Sequence, residues 1–244
     1  MKKEASFPID GKVIPFNPGD TIMDAARAAG VYIPHLCHNP DFKPHGSCRV
    51  CVVRSNGRYF SSCTQPATAG LEIESDSERV NGYRRTLIQM LFVEGNHICP
   101  ACEKSGACQL QAVAYFVSML SPRFTQLFPH REIDASHPDI IIDFNRCILC
   151  ELCVRASRDV DGKGVFSISG RGIDAHLVID SPSGKLGDSR LTTDDRAATV
   201  CPVGAILPKG HAYETPIGQR RYDRQPIDIV GDAVAAGHRE QDDE

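Results

Sequence analysis

Apolar and polar residues alternate near the start of the chain. Phe7 and Ile9 precede Asp10-Gly11, and Val13 to Phe16 returns on the far side. A period of two broken by an Asp-Gly pair predicts a β-hairpin with a two-residue turn. From about Thr21 to Ala29 the pattern becomes helical. Asp20 or Thr21 can accept from the free N–H groups of the first turn, and Gly30 can take the left-handed conformation that ends a helix. Asn56-Gly57 marks a second hairpin between Val50 to Ser55 and Arg58 to Ser62, and Leu71 to Glu74 offers one more short strand. Hairpin, helix, hairpin, strand is the order of a ubiquitin-like roll, here an α+β domain over residues 1–80.

From about Asp76 to Glu94 the period is helical again, with Val80, Leu87 and Leu91 near one face and Gly95 as the stop. A further helix is expected from Gln109 to about Leu120, ending before Pro122, so residues 81–122 form a small helical unit. Residues 121–139 hold three prolines and read as a connector. Ile140 to Phe144 is a short strand, and Val165 to Ile168 with His176 to Ile179 predicts a hairpin inside a last unit, 140–210. Residues 211–244 are polar and are expected to be mobile in isolation, ordered mainly by a partner.

Composition narrows what such units can be. The chain has 244 residues, 41% of them hydrophobic, so no single large core is expected. Units this small commonly need a metal centre to hold them together. The formal charge of -4, with Lys and Arg scattered, gives no footprint for nucleic acid. No stretch is apolar enough to span a membrane, and the N-terminal segment lacks the apolar run of a signal peptide, so a cytoplasmic location is expected. There the 11 cysteines are metal ligands or redox groups more readily than disulfides, and an odd count agrees.

Their spacing then decides the picture. Cys37, Cys48, Cys51 and Cys63 follow C-x10-C-x2-C-x11-C; His97, Cys99, Cys102 and Cys108 follow H-x-C-x2-C-x5-C; Cys147, Cys150 and Cys153 follow C-x2-C-x2-C, with Cys201 beyond a 47-residue insertion. Four soft ligands per set is what an iron–sulfur cluster needs. The first set suits a two-iron cluster, and bends at Gly46 and Ser47 would turn backbone N–H groups toward its sulfurs. The second set has only three thiols, so His97 completes a four-iron site; taken alone, that histidine would be a loop residue. The third set is the bacterial ferredoxin four-iron pattern with a delayed Cys-Pro. The rival is zinc in an interaction protein, although zinc prefers two short C-x2-4-C knuckles. His35, His38 and His45 lie near a set that is already complete.

These motifs, in this order, resemble the N-terminal iron–sulfur region of the large subunit of respiratory NADH dehydrogenase, of iron-only hydrogenases and of NAD-linked formate dehydrogenases. The resemblance covers residues 1 to about 210 and rests on the first cysteine set, on Cys99-Pro-Ala-Cys102-Glu-Lys-Ser-Gly-Ala-Cys108-Gln-Leu-Gln, and on Cys147-Ile-Leu-Cys150-Glu-Leu-Cys153 with Cys201-Pro-Val-Gly-Ala. Glu94-Gly95-Asn96-His97 is similar to the diaphorase iron–sulfur subunits of cytoplasmic NAD-reducing nickel–iron hydrogenases. In the wider family the histidine stands four positions before the first cysteine, where this chain has Gly95. The resemblance implies a two-iron ferredoxin-like, a helical His/Cys and a bacterial-ferredoxin-like domain. It further implies one 2Fe-2S and two 4Fe-4S clusters and no catalytic residue of the chain's own. A flavin/NADH-binding diaphorase subunit with FMN and NAD, and hydrogenase small and large subunits with the nickel–iron site, would be the partners. The alternative is the corresponding subunit of a formate dehydrogenase or of respiratory NADH dehydrogenase.

Overall fold

The computed structural model describes residues 5–231. Strands β1 (Ser6–Ile9) and β2 (Lys12–Pro15) pair antiparallel with Ile9 opposite Lys12. Asp10 and Gly11 both have positive φ, as the two-residue turn requires. Helix α1 (Ile22–Ala28) begins at Thr21, whose hydroxyl accepts from the Asp24 N–H while the Asp24 carboxylate accepts from the Thr21 N–H. Two orphan donors are thereby satisfied. Asp20 serves the preceding turn instead, accepting from the Asn17 N–H. Strands β3 (Val52–Ser55) and β4 (Arg58–Ser61) form the second hairpin around Asn56-Gly57. The segment 71–74 makes only single bridges, Ile73 to Ile9 and Glu74 to Arg54. It joins the edges of two separate hairpins where a full strand was expected.

Helix α2 (Glu78–Val93) starts at Ser77 and buries Val80, Arg84 and Ile88 along one stripe. Leu87 and Leu91 are only half-buried. The expected face is therefore displaced by one residue, because a charged side chain occupies its centre. Helix α3 (Gln109–Phe116) ends four residues before Leu120. Ser118 takes a left-handed φ of 57°, and the N–H groups of Ser118 and Met119 close back on the carbonyls of Tyr115 and Ala114. That double closure terminates a helix well, and a serine gives little warning of it.

The connector supplies β5 (Ile133–Asp134), which pairs with β6 (Ile140–Asp143). Helix α4 (Leu152–Asp159) follows, then the expected hairpin of β7 (Phe166–Ser169) and β8 (His176–Ile179). Helix α5 (Arg196–Thr199) leads to β9 (Ile206–Pro208), antiparallel to β6 with Ile142 opposite Ile206.

Among the described residues three apolar clusters form and no single large core, and two of them cross the units: Cys37 and Phe42 from the first stretch pack with Ile140, Leu152 and Leu186 of the last, and Leu36 and Val50 pack with Ile88 and Leu110 of the middle. One expectation needs correction: the polar tail does not stand off as far as it is described. Helix α6 (Ile227–Val230) buries Ile227 against α3, Tyr222 donates its N–H to Gly106 O, and Tyr213 Oη donates to Ala101 O. A buried isoleucine and two tyrosine contacts dock an otherwise polar segment. The remainder of that tail, 232–244, lies outside the described residues. Replacing Ile227 with Ala should cost about 2–5 kcal/mol, read as a lower urea midpoint and faster protease cleavage beyond residue 211; unchanged cleavage would mean that α6 does not hold the tail.

Candidate metal centres

The first cysteine set is gathered by loops around the second hairpin. Cys37, Cys51 and Cys63 are buried. The Sγ atoms of Cys51 and Cys63 lie 3.4 Å apart, and Cys48 donates its N–H to Cys37 Sγ at 3.5 Å. The four thiols thus form two couples, Cys37 with Cys48 and Cys51 with Cys63. Within each couple a sulfur–sulfur hydrogen bond pulls Cys37 or Cys51 below the usual thiol range and pushes its mate up. The Ser47 N–H also points at the Cys37 sulfur, as the bend at Gly46 leads one to expect. Arg49, between the two central cysteines, is left-handed (φ 59°), a strain of about 1–3 kcal/mol.

The second set lines one cavity: His97, Cys99, Cys102 and Cys108, with Phe92, Arg146 and Gly204 around them. Among the described residues, His97 Nε2 is buried and meets no hydrogen-bond partner. Burial, helped by nearby Arg146, holds its pKa down at about 4, so the ring is neutral and can donate a lone pair. Gly95 explains how a histidine two residues before Cys99 reaches this place. A Cβ on Gly95 would sit 2.6 Å from His97 Nε2, so the ring fills the room a side chain at 95 would take. Gly95 also keeps φ outside the left-handed range, so it ends no helix by that route. Cys108 is pushed up to about 12 by burial, opposed by N–H groups of Gln111 and Leu110.

The third set also lines a single cavity, formed by Cys147, Cys150, Cys153 and Cys201 with Ile148, Leu177 and Ile206. The β6–β9 ladder builds it. Cys147 lies five residues after Ile142 and Cys201 five before its partner Ile206, so both leave the same end of the antiparallel pair. Leu149 and Glu151 are left-handed (φ 52° and 58°), which winds the loop so that three cysteines face inward. Burial raises all three of these thiols, Cys147 to about 11, while N–H groups of Leu149, Leu152 and Val154 oppose it.

The donor sets fit iron–sulfur clusters: soft sulfurs lining apolar cavities, backbone N–H groups aimed at them, and an orphaned ring nitrogen completing the set of three. Three family models match, in order: a 2Fe-2S iron-sulfur cluster binding domain over residues 2–78, the NADH-ubiquinone oxidoreductase-G iron-sulfur binding region over 84–123, and a 4Fe-4S single cluster domain over 140–207. Among curated proteins, the NAD-reducing hydrogenase HoxS subunit gamma of Cupriavidus necator is 42% identical over 90% of this chain and 93% of its own length. The chain belongs to the family of that hydrogenase subunit. A solved NAD+-reducing [NiFe]-hydrogenase in the H2-reduced state contains a chain 54% identical, with a TM-score of 0.89 over 92% of this chain and 95% of that one. The 78 kDa subunit of NADH-ubiquinone oxidoreductase from Candida albicans is 30% identical over 97% of this chain, which spans only 32% of that longer protein.

The three modules meet in space, and the third set adjoins both others. Arg155 donates to the carbonyls of Cys37 and Cys150, and His45 Nε2 lies 3.1 Å from the Glu151 carboxylate. On the other side Arg146 Nη1 approaches Cys102 Sγ at 3.7 Å and pairs with Glu103, while its Nε pairs with Asp143. His35, by contrast, caps Ile33 O through Nδ1, and its carbonyl accepts from Gln109.

Sequence reasoning missed the arginines and Gly204. No spacing rule flags a buried Arg, but the glycine stands three residues after Cys201 in Cys-Pro-Val-Gly, where a Cβ would come within 2.8 Å of Cys102 Sγ. Gly204→Ala should therefore displace that sulfur and reduce iron at the second set alone, measured as iron per chain and by the magnetic signals of each site. Full iron in the variant would show that the loop yields.

Proposed function

We propose that this chain is the electron-relay subunit of an NAD-reducing hydrogenase. Cys37 and Cys48 would hold one iron of a two-iron cluster and Cys51 and Cys63 the other. His97, Cys99, Cys102 and Cys108 would hold one four-iron cluster, and Cys147, Cys150, Cys153 and Cys201 a second. The clusters supply one-electron carriage. The chain's own residues fix their positions, aim N–H groups at the ligand sulfurs and exclude water. Because the third set touches both others, we read the relay order as first, third, second, which differs from the order along the chain. NADH and FMN belong to a diaphorase partner, and the nickel–iron site to hydrogenase partners. The chain has no catalytic site of its own in this reading.

The supporting observation is that the second and third sets of donors each line one cavity, and the first forms two sulfur couples, within a chain 42% identical to a hydrogenase subunit. The respiratory relatives stand lower, at 28–31%. The ubiquitin-like and ferredoxin-like fold names for the outer modules are part of the same reading, supported by the hairpin–helix–hairpin order and by the C-x2-C-x2-C loop.

Three outcomes are expected. An anaerobic preparation should hold about ten irons per chain, from one two-iron and two four-iron clusters; zinc in place of iron would overturn the reading. His97→Ala should abolish or alter the magnetic signal of the second site and spare the others. The complex with its partners should reduce NAD with hydrogen, whereas the isolated chain given NADH and a dye should not turn over.

A further inference from the structure

We propose that Arg155 is a potential-setting residue shared by the first and third sites, its buried charge favouring the reduced form of both. The inference rests on the reading that those sites hold iron–sulfur clusters. Arg155 lies on α4, two residues past Cys153, and is only 4% exposed. Its Nη2 donates to Cys37 O at 2.5 Å and to Cys150 O at 3.4 Å, Nη1 to Lys43 O at 3.0 Å, and Nε to Glu151 O at 3.3 Å. The guanidinium carbon stands 5.6 Å from the centre of the Phe42 ring.

Every one of these acceptors is a neutral carbonyl. Asp159 feels the guanidinium only at range and is itself exposed and paired with Arg158. Burying a cation without a carboxylate is costly, because carbonyl dipoles replace only part of its hydration. The balancing charge lies in the residues whose carbonyls the fork holds. Cys37 and Cys150 are ligands of two different sites, and their thiols sense each other electrostatically. A cluster bound by four thiolates is a net anion and gains one further negative charge on reduction. In a poorly screened interior a fixed cation then stabilises the reduced state of both neighbours. Arg146, at the other junction, differs: Glu103 and Asp143 already offset its charge.

The redox step is a transfer of one electron between neighbouring sites. The donor site is oxidised by one unit and the acceptor reduced by one, no bond or proton changes hands, and the electrons come from the partner subunits' hydrogen/NAD couple.

The test uses the full chain within its complex, prepared anaerobically with Arg155→Gln, Arg155→Met and Arg155→Lys. Iron per chain is measured, and each site's midpoint potential is followed by its magnetic signal in a redox titration. In the neutral variants the reduction equilibria of the first and third sites should fall at least about tenfold, which is 59 mV for a one-electron couple, with the second site unmoved. Arg155→Lys keeps the charge and loses the fork, so it should hold both potentials near the unaltered values. Unchanged potentials in an iron-replete neutral variant would overturn the proposal. So would an equal fall in Arg155→Lys, which would make the residue a clasp. If both neutral variants lose iron at the first and third sites, retention by Arg155→Lys supports the charge requirement and loss from it defeats the proposal. An unaltered protein without iron would instead defeat the functional reading on which this rests.

Discussion

The molecule is governed by the difficulty of burying many sulfurs close together. Six of the eleven cysteines are buried outright, and the rest are half-covered. As thiols they are pushed up by desolvation, as at Cys108, Cys147, Cys150 and Cys153. As bare thiolates they would repel one another in a medium that screens poorly. Metal relieves both problems, since it displaces the protons and supplies the opposing charge, and binding energy thereby becomes folding energy. That explains why cysteines serve as core residues here. Cys48, Cys147 and Cys201 pack against two apolar clusters at once, so filling a site and closing the core are one event.

The same constraint accounts for cations in places where the hydrophobic pattern asks for an apolar side chain. Arg84 is fully buried on the inner stripe of α2 and donates to Val50 O and Val52 O, the carbonyls on either side of Cys51. Burial lowers its pKa to about 10, and the nearby Cys51 sulfur works against that shift. Even so depressed, it remains a cation at neutral pH. Arg84 and Arg155 therefore bracket the first set from its two couples, one beside Cys51 and the other beside Cys37. Carbonyl acceptors leave their positive charge available to the sulfurs, whereas a carboxylate partner would cancel it.

What the sequence disclosed follows from which forces are local. Hairpins at Asp10-Gly11 and Asn56-Gly57, the start of α1 at Thr21 and the hairpin after Val165 depend on turn chemistry and short-range period, and they are legible. The grouping of the sulfur donors is legible too, because the second and third sets, spaced as cluster chemistry asks, each line one cavity. Harder to see were features that exist only through tertiary contact. These include the two-residue strand at Ile133–Asp134, the left-handed Ser118 that shortens α3, and Ile227 docking a polar tail. The stripe of α2 was misplaced by one position because no periodicity rule counts an arginine as core. His97 could be singled out by elimination as the proposed fourth donor, while the reason it reaches the cavity, the missing side chain at Gly95, is visible only in space.

The remote fourth cysteine of the third set shows how far apart in sequence one site can be built. Closing a longer loop costs little extra, about 0.6 kcal/mol for each doubling of its length. The 47 residues between Cys153 and Cys201 are not slack either. They fold into β7 and β8, whose Phe166, Leu177 and Ile179 pack in the same cluster as Cys150 and Cys153. Lys163 pairs with Asp195, and Asp161 accepts from the N–H groups of Arg196 and Ala197, so the two ends of the insertion are tied together at the start of α5. Returning along β9, the chain meets β6 in a register that sets Cys201 and Cys147 equally far from a paired Ile142 and Ile206. The insertion thus walls the cavity and aligns its last thiol, and the sheet register decides which sulfur joins the other three.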